Sequence, residues 1–115
     1  MKSIVLFFIG TIVFSMQGLA QADVQKKLQK QLILAEAGAV IEIPEGVFEF
    51  TNTLSLEEKK KITIRGKGMD KTILNFSNQV SGAEGIKVTN GQNITLQDLT
   101  VQDTKGDAIK IQDAT

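Results

Sequence analysis

GIKVTNGQNITLQDLTVQDTKGDAIKI, residues 85–111, alternates apolar and polar positions in four short bursts. These are Ile86-Lys87-Val88, Ile94-Thr95-Leu96, Leu99-Thr100-Val101 and Ile109-Lys110-Ile111, separated only by turn residues. In an extended backbone each burst sends its two apolar side chains to one side and the middle residue to the other. Upstream, the same triplet recurs as Ile41-Glu42-Ile43, Phe48-Glu49-Phe50, Leu54-Ser55-Leu56, Ile62-Thr63-Ile64 and Leu74-Asn75-Phe76. An antiparallel meander is the ordinary reading of such a pattern, and Asn90-Gly91 is a hairpin signal in its favour.

Strand length and spacing argue against the meander. Three-residue strands are shorter than a stable sandwich uses. Ile86 and Ile109 open equivalent triplets 23 residues apart, while Leu54 aligns with Ile86, and Ile62 with Ile94, at an offset of 32. Leu74 falls opposite Leu99 at an offset of 25. The sequence therefore parses into units of three strands with loops of variable length, the mark of a solenoid. The expected fold is all-β: a right-handed parallel β-helix with three short strands per rung. Its inward ladders would be Leu54–Ile86–Ile109, Ile62–Ile94 and Leu74–Leu99, with IEI and FEF forming a partial first rung. Asp23 is placed to cap a helix over 24–37 that Gly38 stops, so residues 23–37 form the cap and 38–115 the rungs. Val24, Leu28, Leu32 and Ala35 give that helix one apolar face to lay over the first rung.

Two longer stretches carry a resemblance. AVIEIPEGVFEF (39–50) with KITIRGKGMDKTILNF (61–76) resembles the opening of secreted right-handed parallel β-helix proteins of the pectate-lyase-like and epimerase-like superfamily. SGAEGIKVTNGQNITLQDLTVQDTKGDAIKIQDAT (81–115) is closer to a bacterial family of exported parallel β-helix repeat proteins of uncharacterised role. The resemblance covers nearly all of residues 38–115. It implies that the protein extends for several more rungs, so that residues 1–115 are an N-terminal portion truncated at the C-terminus, with an open hydrophobic end at Thr115.

The first 22 residues differ in kind. Lys2 precedes an almost unbroken apolar run from Ser3 to Met16, and Ala20 and Ala22 have the A-x-A spacing that a signal peptidase accepts. The run is short for a membrane span, which takes about 20 apolar residues. Residues 1–22 are read as a signal peptide cleaved after Ala22, which implies export to the periplasm or the extracellular space and no stable membrane insertion.

Composition limits the chemistry. The 115 residues carry no net charge, which gives no long-range field toward nucleic acid. Cys, His, Trp and Tyr are absent, removing disulfides, thiolate or imidazole metal ligands, His acid–base catalysis and the best sugar-stacking rings. Asp98, Asp103 and Asp107 cluster around one strand and the turn after it. In pectate-lyase-like enzymes, outer-face acidic clusters hold Ca²⁺, so the resemblance makes Ca²⁺ the ion to consider here. Turn initiation explains the same three residues without a metal. No other cofactor is implied. Lys87 and Lys110, the middle residues of equivalent triplets, would stand side by side as a row able to bind a polyanionic sugar, or would simply keep a face solvated.

Arg65, the only arginine, sits in RGKGMDKT, which lacks the spacing of a phosphate loop and has no helix after it. Asn75, Asn90 and Asn93 serve turns or side-chain ladders, Asn93-Ile94-Thr95 matches the glycosylation triplet, and EEKKK at 57–61 is an exposed connection.

Two functions remain open. One is a non-catalytic scaffold binding a carbohydrate or another exported protein. The alternative is the N-terminal part of a polysaccharide lyase or epimerase acting on acidic glycans, whose catalytic residues would lie beyond this stretch. No catalytic constellation is present in 1–115.

Overall fold

The computed structural model describes residues 21–115; the apolar leader and Ala20 lie outside them. One helix, α1 (Gln21–Leu34), precedes nine strands among the described residues. These are β1 (Val40–Glu42), β2 (Gly46–Glu49), β3 (Asn52–Glu57), β4 (Thr63–Arg65), β5 (Thr72–Asn75), β6 (Ser81–Thr89), β7 (Thr95–Gln97), β8 (Thr100–Gln102) and β9 (Ile109–Gln112). They form three parallel sheets: sheet 1 is β1-β4-β7, sheet 2 is β2-β5-β8 and sheet 3 is β3-β6-β9. The backbone visits the sheets in turn, three times over. Among the described residues the expected all-β class with a single helix is therefore what the molecule has.

Register explains why triplets suffice as strands. Ile41 pairs with Ile64 and Ile64 with Leu96; Leu54 pairs with Ile86 and Ile86 with Ile109. Identical inward positions thus stack on one another, and each three-residue strand gains a ladder partner in the next pass. Ile43, Phe50, Leu54, Leu56, Ile62, Ile64, Leu74, Phe76, Ile86 and Val88 are all buried. Full burial of one such side chain stabilises by roughly 1.5–3 kcal/mol, so the ladders are the main source of cohesion. Phe50 and Phe76 continue the pattern with ring centroids 5.4 Å apart and tilted by 36°. In the third pass Ile94, Leu96, Leu99 and Val101 are half-buried, and Ile109 and Ile111 are exposed.

Three details differ from the sequence-based expectation. IEI and FEF, with LSL, make a complete first pass rather than a partial one. Leu74 stands opposite Val101, not Leu99. A slip of two residues keeps every apolar side chain on the inner face, so alternation cannot detect it. The place above Leu99 is taken by Thr72, which is fully buried. Its hydroxyl donates to the Pro44 carbonyl at 3.1 Å and accepts from the Lys67 N–H at 2.8 Å, so burial leaves it satisfied. Finally, α1 ends at Leu34, and Asp23 lies within it instead of capping it. Gln21 and Ala22 are competent helix residues, and a cap preference is too weak to stop the helix at Asp23.

The helix covers the first pass as its pattern requires. Val24, Leu28 and Leu32 are buried against the core, with Ala35 packed beside them. The polar flank does more than face water. Gln29 sits against the free edge of β3, its Oε1 accepting from the Ser55 N–H at 2.9 Å while its Nε2 donates to the Ser55 carbonyl at 3.0 Å. One helical turn earlier, Gln25 Oε1 accepts from the Thr51 N–H at 2.6 Å. Two amides four residues apart therefore replace a missing strand neighbour. Lys59 closes the other end, its Nζ donating to the carbonyls of Ile33 and Ala35 at 2.8 and 2.9 Å.

Candidate functional site

Outward positions of sheet 3 bring together the residues with the most binding potential. Ser55, Lys87 and Lys110 occupy one column, in register across the three strands. Adjacent strands lie about 4.8 Å apart, so the two ammonium groups rise from neighbouring points of one face. Lys110 Nζ is 3.9 Å from a Glu84 carboxylate oxygen, a loose pair. The outward column beside them is Glu57, Thr89 and Gln112.

Above this column, between α1 and β3, lies a cleft of about 540 Å³. Lys26, Lys30 and Ile33 line it from the helix, and Asn52, Thr53 and Leu54 from the strand. Lys26 and Lys30 form no ion pair among the described residues. A smaller hollow of about 260 Å³ continues along Ser55, Glu57 and Lys59. The face thus combines cations, hydroxyls and amides over an apolar floor, a mixture that suits binding of a polar, anionic polymer.

The three aspartates occupy separate places. Asp98 forms the corner between β7 and β8, and Asp103 follows β8; both have left-handed backbones, with φ of 60°. Asp107 lies on the loop before β9, within the connection Asp103–Ala108. Among the described residues no group of three or more carboxylates, His or Cys is placed to hold a metal. Asp103 is linked to the Asn75 side chain, whose Nδ2 donates to its Oδ2 at 3.4 Å. That contact joins successive passes and fits a turn role.

Arg65 is engaged rather than available. Its guanidinium donates to Glu42 Oε2 at 2.7 Å, and Lys67 Nζ donates to Glu42 Oε1 at 3.0 Å. The hydrogen bond from Arg65, then that from Lys67, hold the Glu42 carboxyl below its ordinary range, and Glu42 in turn raises Arg65. No family model, curated protein or solved structure matches this protein.

Sequence reasoning missed Gln79, which is buried and organises the connection from sheet 2 to sheet 3. Its Nε2 donates to the Glu84 carbonyl at 2.8 Å and its Oε1 accepts from the Lys105 N–H at 3.4 Å, tying the loops of two passes together. Thr53 Oγ1 donates to the same Glu84 carbonyl at 2.7 Å. Glutamine in a polar loop carries no periodic signal, so alternation could not have found it. The pairing of Glu42 with Arg65 was equally hidden: aligning IEI with ITI triplet on triplet sets Glu42 opposite Thr63, and only the observed shift of two residues, Ile41 with Ile64, brings Glu42 opposite Arg65.

Proposed function

We propose that the protein is an exported, right-handed parallel β-helix scaffold that binds an acidic carbohydrate along the outer face of sheet 3 without altering it chemically. The hand rests on a general rule, that crossovers between parallel strands of one sheet are overwhelmingly right-handed. Export rests on the leader and the A-x-A spacing of residues 1–22, and places the protein in the periplasm or outside the cell. Similarity to the exported β-helix repeat proteins is part of the same reading.

One observation carries the binding function: Lys87 and Lys110 are register partners on an outward face. A polyuronate repeats its carboxylate along its length as the solenoid repeats its cation. Charge-assisted hydrogen bonds would therefore form in series, each weak alone and effective together. Lys26 and Lys30 at the cleft extend the cationic track toward the helix. Elimination or epimerisation would further require a base at the sugar proton and a stabiliser of the developing charge. Lys87 and Lys110 alone do not make that pair.

The test is calorimetric titration of the purified exported protein with oligogalacturonate, alginate oligomers and a neutral glucan, followed by absorbance of unsaturated products. Binding of the acidic oligomers only, weakened about tenfold or more by Lys87→Ala/Lys110→Ala and by added salt, is the expected result. Formation of unsaturated product would replace the scaffold with a lyase. Failure of every glycan to bind, alongside specific capture of one exported protein, would move the ligand class to protein.

A further inference from the structure

The corner joining sheet 3 to sheet 1 is built twice to one plan. Glu57, Thr89 and Gln112 are register partners, and the residues after them, Glu58, Asn90 and Asp113, have φ of 55°, 55° and 53°. The Glu58 N–H donates to the Thr89 carbonyl and the Asn90 N–H to the Gln112 carbonyl, both at 2.9 Å. These three residues therefore form a left-handed column, with exposed side chains. The column reads carboxylate, amide, carboxylate. Only its middle member is neutral.

Asn90 is also the one asparagine followed by glycine; Asn52, Asn75, Asn78 and Asn93 precede Thr, Phe, Gln and Ile. Gly91 is buried, but it has no Cβ to stand between the exposed Asn90 side chain and its nitrogen. Its N–H donates to no partner among the described residues, so no bond must break before that nitrogen can move. We propose that Asn90 is a site of spontaneous deamidation, and that the new carboxylate loosens this corner by repelling Glu58 and Asp113.

The chemistry needs only water. The Gly91 amide nitrogen loses its proton and attacks Cγ of Asn90, forming a new carbon–nitrogen bond. The bond from Cγ to Nδ2 breaks and ammonia leaves, giving a five-membered imide. Water then opens the imide at either carbonyl, to aspartate or to isoaspartate with the backbone rerouted through Cβ and Cγ. Nothing is oxidised or reduced. Aspartate tolerates the left-handed conformation nearly as well as asparagine, so that product keeps the turn and adds only charge. Like charges directly opposite on neighbouring strands destabilise. Isoaspartate adds a backbone carbon and breaks the register of the column outright.

Asn93 provides an internal control. It is exposed, has φ of 56°, and occupies the other left-handed position of the same corner, but the branched Ile94 follows it. Ageing the purified full-length protein at mildly alkaline pH, with peptide mapping that separates aspartate from isoaspartate, should show conversion at Asn90 several-fold ahead of Asn93 and the other asparagines. Asn90→Asp should lower the melting temperature by about 2–4 °C at low salt, and Glu58→Gln or Asp113→Asn should restore most of that loss. An unconverted Asn90, or faster conversion elsewhere, would overturn the site. If Asn90→Asp melts like the parent, or if its deficit persists in Glu58→Gln and Asp113→Asn backgrounds, repulsion in the column is wrong.

Discussion

The corner from sheet 3 to sheet 1 and the connection from sheet 1 to sheet 2 solve the same geometric task differently. At the corner, Glu58 and Lys61 in one pass match Asn90 and Asn93 in the next, all four with φ near 55°. Gly38 extends the second position upward, donating its N–H to the Lys61 carbonyl at 2.8 Å. The connection to sheet 2, by contrast, runs from Gly66 to Lys71 in the second pass and shrinks to Asp98 and Leu99 in the third. The regular corner sets the stacking, at the expense of several side chains in a backbone region that disfavours them. The variable connection absorbs length, and the polar contacts that tie passes together collect there: Thr72 to Pro44, Lys67 to Glu42, and Thr100 Oγ1 to the Met69 carbonyl at 2.5 Å.

Breaking the variable connection should have the larger effect. A Cβ on Gly66 would overlap the Asp98 carbonyl oxygen and lie 2.7 Å from the Thr72 Cβ, both fixed by packing. Gly66→Ala should therefore cost about 3 kcal/mol, read as a lower midpoint in urea unfolding. A loss under about 0.5 kcal/mol would mean that the connection yields freely and is not part of the stack. The corner invites an improvement instead. Lys61→Asn puts a residue that tolerates φ of 55° above Asn93, and should raise stability by about 0.5 kcal/mol. Unchanged or lower stability in the same assay would show that the left-handed backbone carries little strain there.

The smallest effect is electrostatic. Glu42 links β1 to the variable connection, and its folded-state carboxyl titrates below the ordinary value of 4.5. A lowered folded pKa gives stability that is present above that ordinary value and lost as pH falls through the folded one. Glu42→Gln should thus cost a few tenths of a kcal/mol near neutrality, because the pair is about two-fifths exposed and screened by solvent. The difference between variant and parent should vanish in strong acid. A deficit that persists there would identify packing, rather than charge, as the cause.

The same contrast marks what could be read in advance. Alternation identified the inward triplets, because a parallel stack turns two residues of each toward the core and the third away; in the first two passes Ile41, Phe48, Leu54, Ile62, Leu74 and Ile86 all lie inside. Lys87 and Lys110 were placed side by side for the same reason, and their register agrees. What alternation could not fix is position along the strand. Leu99 and Val101 have the same parity, and only the buried Thr72 with its two hydrogen bonds tells them apart. The amide contacts of Gln25 and Gln29 were equally hidden, since a glutamine on the polar side of a helix reads as solvated until a strand edge is found beside it.

Those two glutamines bear on how the protein reaches its fold. Each later strand pairs with one a single pass earlier, and among the described residues β1–β3 have no earlier strand to lean on. By serving the β3 edge, α1 lets the first pass become the template for the passes after it. Every pairing closes a loop of similar size, from 23 residues for Val40 with Thr63 to 32 for Leu54 with Ile86. The entropy of closure therefore does not grow as more residues are added. Folding can run in one direction, from the first pass to the last, each strand adding to one already in place.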